Sequence, residues 1–272
     1  WARKLEDVGV HVVYGLVGFK THAKLSLIVR EEGNIVRRYS HVGTGNYNPK
    51  TARMYEDLGI LSADDQLGED LNKLFNQLSG FAPQTSFERL LVAPRTLRIG
   101  LLERIQREID NKLAGRPALI CMKLNSIMDE EFIDLLYQAS AAGVQVELVV
   151  RGICAIRGGV PGLSENIRII SILGRFLEHS RIYSFHNGGN PEFFIGSADM
   201  MERNLDRRVE ALLRIEEEEH KVELRTILDL SSSPRFRMWE MAADDSWHYI
   251  KNGPEGKPLE DFQEYFVERY KK

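Results

Sequence analysis

Cysteine is scarce, with two in 272 residues. Cys121 and Cys154 stand in apolar runs, Leu119-Ile-Cys-Met122 and Gly152-Ile-Cys-Ala155, without the paired spacing of a metal site. They read as reduced core residues of a cytoplasmic protein, not as a disulfide framework. Long apolar runs are missing as well. None approaches the roughly 18 residues needed to span a bilayer, and no secretory signal opens the chain. Cationic excess is also absent: 36 Lys and Arg face 40 Asp and Glu, for a net charge of -4 and a pI near 6.0. General nucleic-acid binding relies on such an excess, so no nucleic-acid partner is expected. Any polyanion must be met by a local basic site. An initiator methionine is lacking too. The chain starts Trp1-Ala-Arg-Lys-Leu-Glu6, and a strand is expected almost at once, so an N-terminal part is expected to precede it.

What is present is an ordinary globular composition, 43% hydrophobic and 28% charged, over a length sufficient for one large or two modest domains. Strands are predicted at 10–18, 22–30 and 35–42, followed by a Gly/Asn-rich loop at 43–49. A helix begins near Asp64, with Leu67, Leu71, Leu74, Phe75 and Leu78 at helical spacing. Residues 79–86 have linker composition, and the domain boundary is placed near them. Beyond lie a short apolar segment, a helix at 95–113, a strand at 117–124, a helix at about 129–142 and a strand at 144–150. Strand, helix and strand with short connections imply an α/β fold with a parallel or mixed sheet. Strands near 167–172, 180–185, 192–197 and 208–215 precede an acidic helix at about 216–228. A Pro-, Gly- and charge-rich stretch then leads to a terminal helix from Phe262.

Two short stretches are built alike. His22-Ala-Lys24 is followed by Gly43-Thr-Gly-Asn46, and His179-Ser-Arg181 by Gly196-Ser-Ala-Asp199. On a strand, residues two apart share a face, so each pair aims a nucleophile and a cation together. A histidine can attack phosphorus and split one hard transfer into two easier ones, while cations stabilise the transition state. Lys24 and Arg181 suit that second task. The turns add hydroxyl, amide and backbone donors, with glycine letting backbone approach a phosphate closely. A lone strand histidine is more often structural, but the duplication is hard to explain by packing.

The paired motif resembles the phospholipase D superfamily. Its wording resembles the polyphosphate kinase family that works through a phosphohistidine: Lys20-Thr-His22-Ala-Lys24, Tyr39-Ser-His41-Val-Gly-Thr-Gly-Asn46-Tyr-Asn48, and Thr51-Ala-Arg53-Met-Tyr55-Glu-Asp57. The likeness continues through Val150-Arg151-Gly-Ile-Cys154, Glu178-His179-Ser-Arg181 and Gly196 to Arg208. The resemblance implies two phospholipase-D-like catalytic domains, each a mixed sheet flanked by helices. These would be 1–89, incomplete at its N-terminus, and 90–272. It implies that His22 takes the γ-phosphate of ATP and passes it reversibly to inorganic polyphosphate. Tyr55, Arg151 and His179 would hold ATP, with His179 across from His22 as an acid or donor to the leaving oxygen. It further implies Mg²⁺ entering with ATP, metal-associated arginines upstream of Trp1, and a larger homo-oligomer. That assembly would be cytoplasmic or peripheral at the inner membrane. Superfamily members carry an aspartate a few residues after each His-x-Lys, where this chain has Val29. A kinase that must keep its phosphohistidine from water has no need of that acid.

Other candidates are weaker. His41, just before the first turn, fits a phosphate contact or a structural bond equally, and Asn46 belongs to the turn. Arg203, Arg207 and Arg208 suit a polyphosphate path, or pair with Glu210. Gly158-Gly-Val-Pro-Gly162 lacks a P-loop ending and reads as a flexible loop, with Arg157 reaching toward the nucleotide. His11, His186, His220 and His248 read as surface or structural residues. Two other functions share these features: a phospholipase-D-type phosphodiesterase or nuclease, and a non-catalytic polyanion-binding fragment.

Overall fold

The computed structural model describes residues 2–16, 18–80 and 86–271. After α1 (Ala2–Glu6), the described residues of 10–18 form no strand, which corrects the sequence expectation. Gly15 and Gly18 have φ of 91° and 84°, left-handed conformations that interrupt an extended run, and Val10, Val13 and Tyr14 stay exposed. Extended structure starts at β1 (Lys20–Thr21), then β2 (Lys24–Glu32), β3 (Ile35–Gly43), β4 (Tyr55–Glu56), β5 (Gly59–Ser62) and α2 (Asp65–Leu78). Of the expected linker, 81–85 lies outside the described residues. Next come β6 (Leu90–Ala93), α3 (Leu97–Leu113), β7 (Leu119–Leu124), α4 (Glu130–Ala141), β8 (Gln145–Val150), β9 (Ile167–Ser171) and β10 (Leu177–Glu178). The chain closes with β11 (Ile182–Phe185), β12 (Glu192–Gly196), α5 (Glu202–Asp206), β13 (Arg208–Ile215), α6 (Glu218–Ser231), β14 (Met238–Met241), β15 (Trp247–Ile250) and α7 (Phe262–Tyr270).

The fold is α/β with a mixed sheet. Ten strands run β1-β13-β12-β11-β7-β8-β9-β14-β15, with β6 also on β13. β7, β8 and β9 are parallel, and α4 makes the crossover between the first two. β2, β3 and β5 form a separate antiparallel sheet. The sequence repeat is a structural one: β2-β3-β5-α2 and β11-β12-β13-α6 are both an antiparallel hairpin, a third antiparallel strand and a helix. Strand β2 starts at Lys24, and β11 starts one residue after Arg181.

Alternation sorts side chains to two cores. Ile120, Met122, Val146, Leu148 and Val150 meet Leu101 and Ile105 of α3 and Phe132 and Leu136 of α4. Cys121 and Val149 turn to the other face, with Leu71, Leu74, Ile182, Leu213 and Ile227. Helix α2 starts because the Asp64 carboxylate caps the Leu67 N–H at 2.7 Å. Its buried Asp70 accepts from the N–H groups of Glu88, Arg89 and Leu90, tying α2 to the start of β6. The β14-β15 hairpin falls in the stretch read as irregular, and the acidic helix runs 218–231, not 216–228.

Candidate active site

The large sheet, not the hairpin, anchors His22. Lys20 and Thr21 pair with Arg208 and Val209, and the N–H groups of His22 and Ala23 both donate to the Val209 carbonyl, at 2.9 and 3.0 Å. That register sets His22 beside Glu210, whose Oε2 lies 2.9 Å from Nδ1. A carboxylate there holds the proton on Nδ1 and leaves Nε2 with a free lone pair. Glu210 is fully buried while the His22 side chain is 21% exposed, so the base is sheltered and the ring reachable. Lys24, buried, donates from Nζ to the His22 carbonyl. Burial pushes its ammonium down to about 8 against the pull of Glu210 and Asp57, and Arg181 and Arg208 push the same way as burial.

The second half is tighter. His179 is 8% exposed, with Nδ1 2.7 Å from Asp57 Oδ1. Arg181 reaches both Asp199 oxygens, at 3.2 and 3.1 Å, and donates to the His179 carbonyl at 2.7 Å. Its Nη1 also lies 3.2 Å from His179 Nε2. Asp57 accepts from the buried Thr44 hydroxyl at 2.6 Å, and Thr44 exchanges bonds with Leu58. Each histidine is thus oriented by a carboxylate from the other half, His22 by Glu210 and His179 by Asp57. The charges that act on Lys24 come from both halves, so the two motifs build one site.

Tyr55 packs on His179 with ring centroids 4.8 Å apart, and an aromatic cavity of about 410 Å³ opens beside it, bounded by Phe176, Phe262, Phe266 and Tyr270. Arg151 donates from Nε to the Glu178 carbonyl at 3.0 Å and to Asn125 Oδ1 at 3.3 Å. Arg208 stands 3.8 Å from Glu210 and joins the His22 side. Arg207 pairs with Glu202 on the surface, and Arg203 and Asn46 are exposed. His41 bonds Tyr47 through Nδ1 and lies over Gly43 and Gly59. Arg157 pairs with Asp245.

Two expectations change. A Cβ at Gly45 would come within 2.4 Å of Asp57 Oδ2, and one at Gly196 within 2.0 Å of the Ala211 carbonyl oxygen. These glycines make room for the protein's own site carboxylate and sheet. Val29 is 54% exposed and five residues along β2 from Lys24, about 16 Å at strand rise, so the carboxylates come from elsewhere. Asp57 had no role in the sequence reading and Glu210 only that of an arginine partner, because 122 and 188 residues separate them from the histidines they hold. Lys123, Glu56 and Asn125 were missed for the same reason.

The polyphosphate kinase C-terminal domain 1 family model matches residues 1–84, and the C-terminal domain 2 model matches 90–260. The chain belongs to the polyphosphate kinase family. Polyphosphate kinase of Streptomyces coelicolor is 57% identical over 268 residues, 98% of this chain and 36% of the relative. That of Mycolicibacterium gilvum is 53% identical over 269 residues, 99% and 36%. The crystal structure of polyphosphate kinase from Porphyromonas gingivalis superposes with a TM-score of 0.90 at 34% identity, over 99% of this chain and 42% of that one. The chain therefore spans little more than a third of the length of its curated relatives.

Within this polyphosphate kinase region Arg181 and Lys24 are not equivalent cations. Arg181 is 3% exposed, and removing its guanidinium leaves Asp199 charged and buried. Arg181→Met is expected to cost about 3–5 kcal/mol of stability, read by denaturant unfolding. A cost under about 1 kcal/mol would contradict the pairing.

Proposed function

We propose that this chain carries the phosphoryl-transfer site of a polyphosphate kinase, with His22 as the covalent carrier. The single observation that carries the reading is the His22–Glu210 bond, which leaves the Nε2 lone pair free on a side chain that solvent reaches. In the first step the Nε2 lone pair attacks the γ-phosphorus of ATP. The bond to the β,γ-bridging oxygen breaks and its electron pair leaves on ADP. In the second, a terminal oxygen of polyphosphate attacks the same phosphorus, the P–N bond breaks, and the pair returns to Nε2. Lys24, Arg181 and Arg208 offset the charge on the equatorial oxygens, and His179, with Nδ1 on Asp57 and Tyr55 packed on its ring, bounds the nucleotide side of the site. Tyr55 and its cavity suit the nucleotide, and the Nη atoms of Arg151, without a hydrogen-bond partner among the described residues, suit its phosphates.

Mg²⁺ would enter on the phosphates of ATP. Among the described residues no group of three or more His, Cys, Asp or Glu is placed to hold a metal ion, and no step is assigned to one. Among the described residues, likewise, no helix is long and apolar enough to cross a membrane. Incubation with ATP labelled at the γ-phosphate tests the reading: label that is acid-labile and base-stable supports it. An unlabelled chain that cleaves a phosphodiester would replace it with the phospholipase-D-type hydrolase.

Lys24 adds a pH dependence. Its pKa falls from 10.5 unfolded to about 8 folded. Taken alone, this group costs stability below pH 8, and the cost fades as pH rises toward 10.5. A bound phosphate restores the charged form, so tripolyphosphate binding near pH 8.5 is expected to take up protons and to weaken as pH rises further. Calorimetry in buffers of different ionisation enthalpy reads this. Lys24→Met should abolish the uptake, and uptake unchanged in that variant would contradict the assignment.

A further inference from the structure

The β4·β10 pair is two residues long, Tyr55 with Leu177 and Glu56 with Glu178. It nevertheless sets Tyr55 and Asp57 against His179, and the His179 N–H donates to the Glu56 carbonyl at 3.2 Å. What holds so short a pairing lies beneath it. Lys123 of β7 is 2% exposed, with Nζ 2.9 Å from Glu56 Oε2, 2.7 Å from Glu178 Oε2 and 2.6 Å from Ser180 Oγ. Ser180 Oγ in turn donates to Glu56 Oε2 at 2.8 Å. Gln263 of α7 donates to Glu178 Oε1 at 2.7 Å while bonding both the N–H and the carbonyl of Phe176.

Alternation explains the arrangement. Tyr55 and Asp57 face His179, and Glu56 turns under the pair to Lys123. Glu178 and Ser180 turn the same way, and His179 and Arg181 turn to the site. A slip of one residue would present Glu56 to the site and drive Tyr55 against the lysine. Buried ion clusters stabilise little over an apolar core of the same shape, and their best-attested use is to specify register.

We propose that the Lys123–Glu56–Glu178–Ser180 cluster is a register lock whose members are positioning residues: it holds the strand of one half against that of the other, so that Tyr55, Asp57 and His179 meet. The role in nucleotide binding rests on the function proposed above, but the lock itself can be read without nucleotide.

Glu56→Gln keeps size and an acceptor for Ser180 but removes the charge that Lys123 holds. Hydrogen exchange of the Leu177 and His179 amides, which bond Met54 and Glu56 carbonyls, is expected to speed up about tenfold relative to amides of β8. The nitrogen NMR signal of the His179 Nδ1–H held by Asp57 is expected to shift. ATP affinity is expected to fall by about tenfold or more with the misplacement. Lys123→Met should give the same pattern with a lower melting temperature. Exchange rising no more at Leu177 and His179 than in β8, with the imidazole signal unmoved in Glu56→Gln, would overturn the lock. If the unaltered chain binds no ATP while the exchange and imidazole effects appear, the lock stands and the nucleotide reading fails.

Discussion

His22→Ala is expected to lose all acid-labile phosphate label, a drop on the order of 10⁶-fold in transfer, as for removal of an enzymatic nucleophile. His179 cannot take over. Its Nδ1 is held by Asp57, and Arg181 Nη1 stands 3.2 Å from its Nε2, so a cation occupies the direction from which phosphorus would come. His22 has a carboxylate on Nδ1 and a side chain 21% exposed. His41 is spent on Tyr47, and burial lowers its pKa. Autoradiography of the variants after acid and base treatment reads the difference. Label kept in His22→Ala and lost in His179→Ala would reverse the assignment of carrier.

Glu210→Gln should slow label uptake by about 10²–10⁴-fold with His22 still in place. A glutamine amide can donate to Nδ1, which moves the imidazole proton to Nε2 and blocks the attacking lone pair. The same change removes a carboxylate that supports the Lys24 ammonium, so Lys24 should lose its charge at a pH below about 8. Slower uptake and a lower pH limit should appear together in single-turnover rates measured across pH. A rate within about threefold of the unaltered chain would mean that Glu210 is not what sets the tautomer of His22.

The repeat was legible because it is local. His22, Lys24, His179 and Arg181 announce themselves by spacing, and the hairpin and helix that follow each are written in alternation and a 3.6-residue period, as is the third strand of the second half, whereas β5 of the first was not predicted. Helices α2, α3 and α4 carry capping acids or long leucine series, so their ends were nearly right. Residues 10–18 misled because Val, Tyr and Leu suggest a strand, while the positive φ of Gly15 and Gly18 prevents one. Short elements such as β1, β4 and β10 have no periodicity to read. They exist because distant strands pair with them. The orienting carboxylates were illegible for the same reason: nothing near His22 in sequence points to Glu210, and nothing near His179 points to Asp57. The turn asparagine and aspartate look alike in the repeat, yet Asp199 is buried on Arg181 while Asn46 is exposed. Only the fold separates a structural acid from a rim residue.

With Glu210 on Nδ1, Nε2 of His22 is the proposed phosphoryl acceptor. Phosphorus–nitrogen NMR of the labelled chain, supported by mass-spectrometric mapping, locates the new P–N bond directly. A single phosphoramidate is expected on Nε2 of His22, absent in His22→Ala. Phosphorus on Nδ1 of His22, or on His179 or His41, would contradict it.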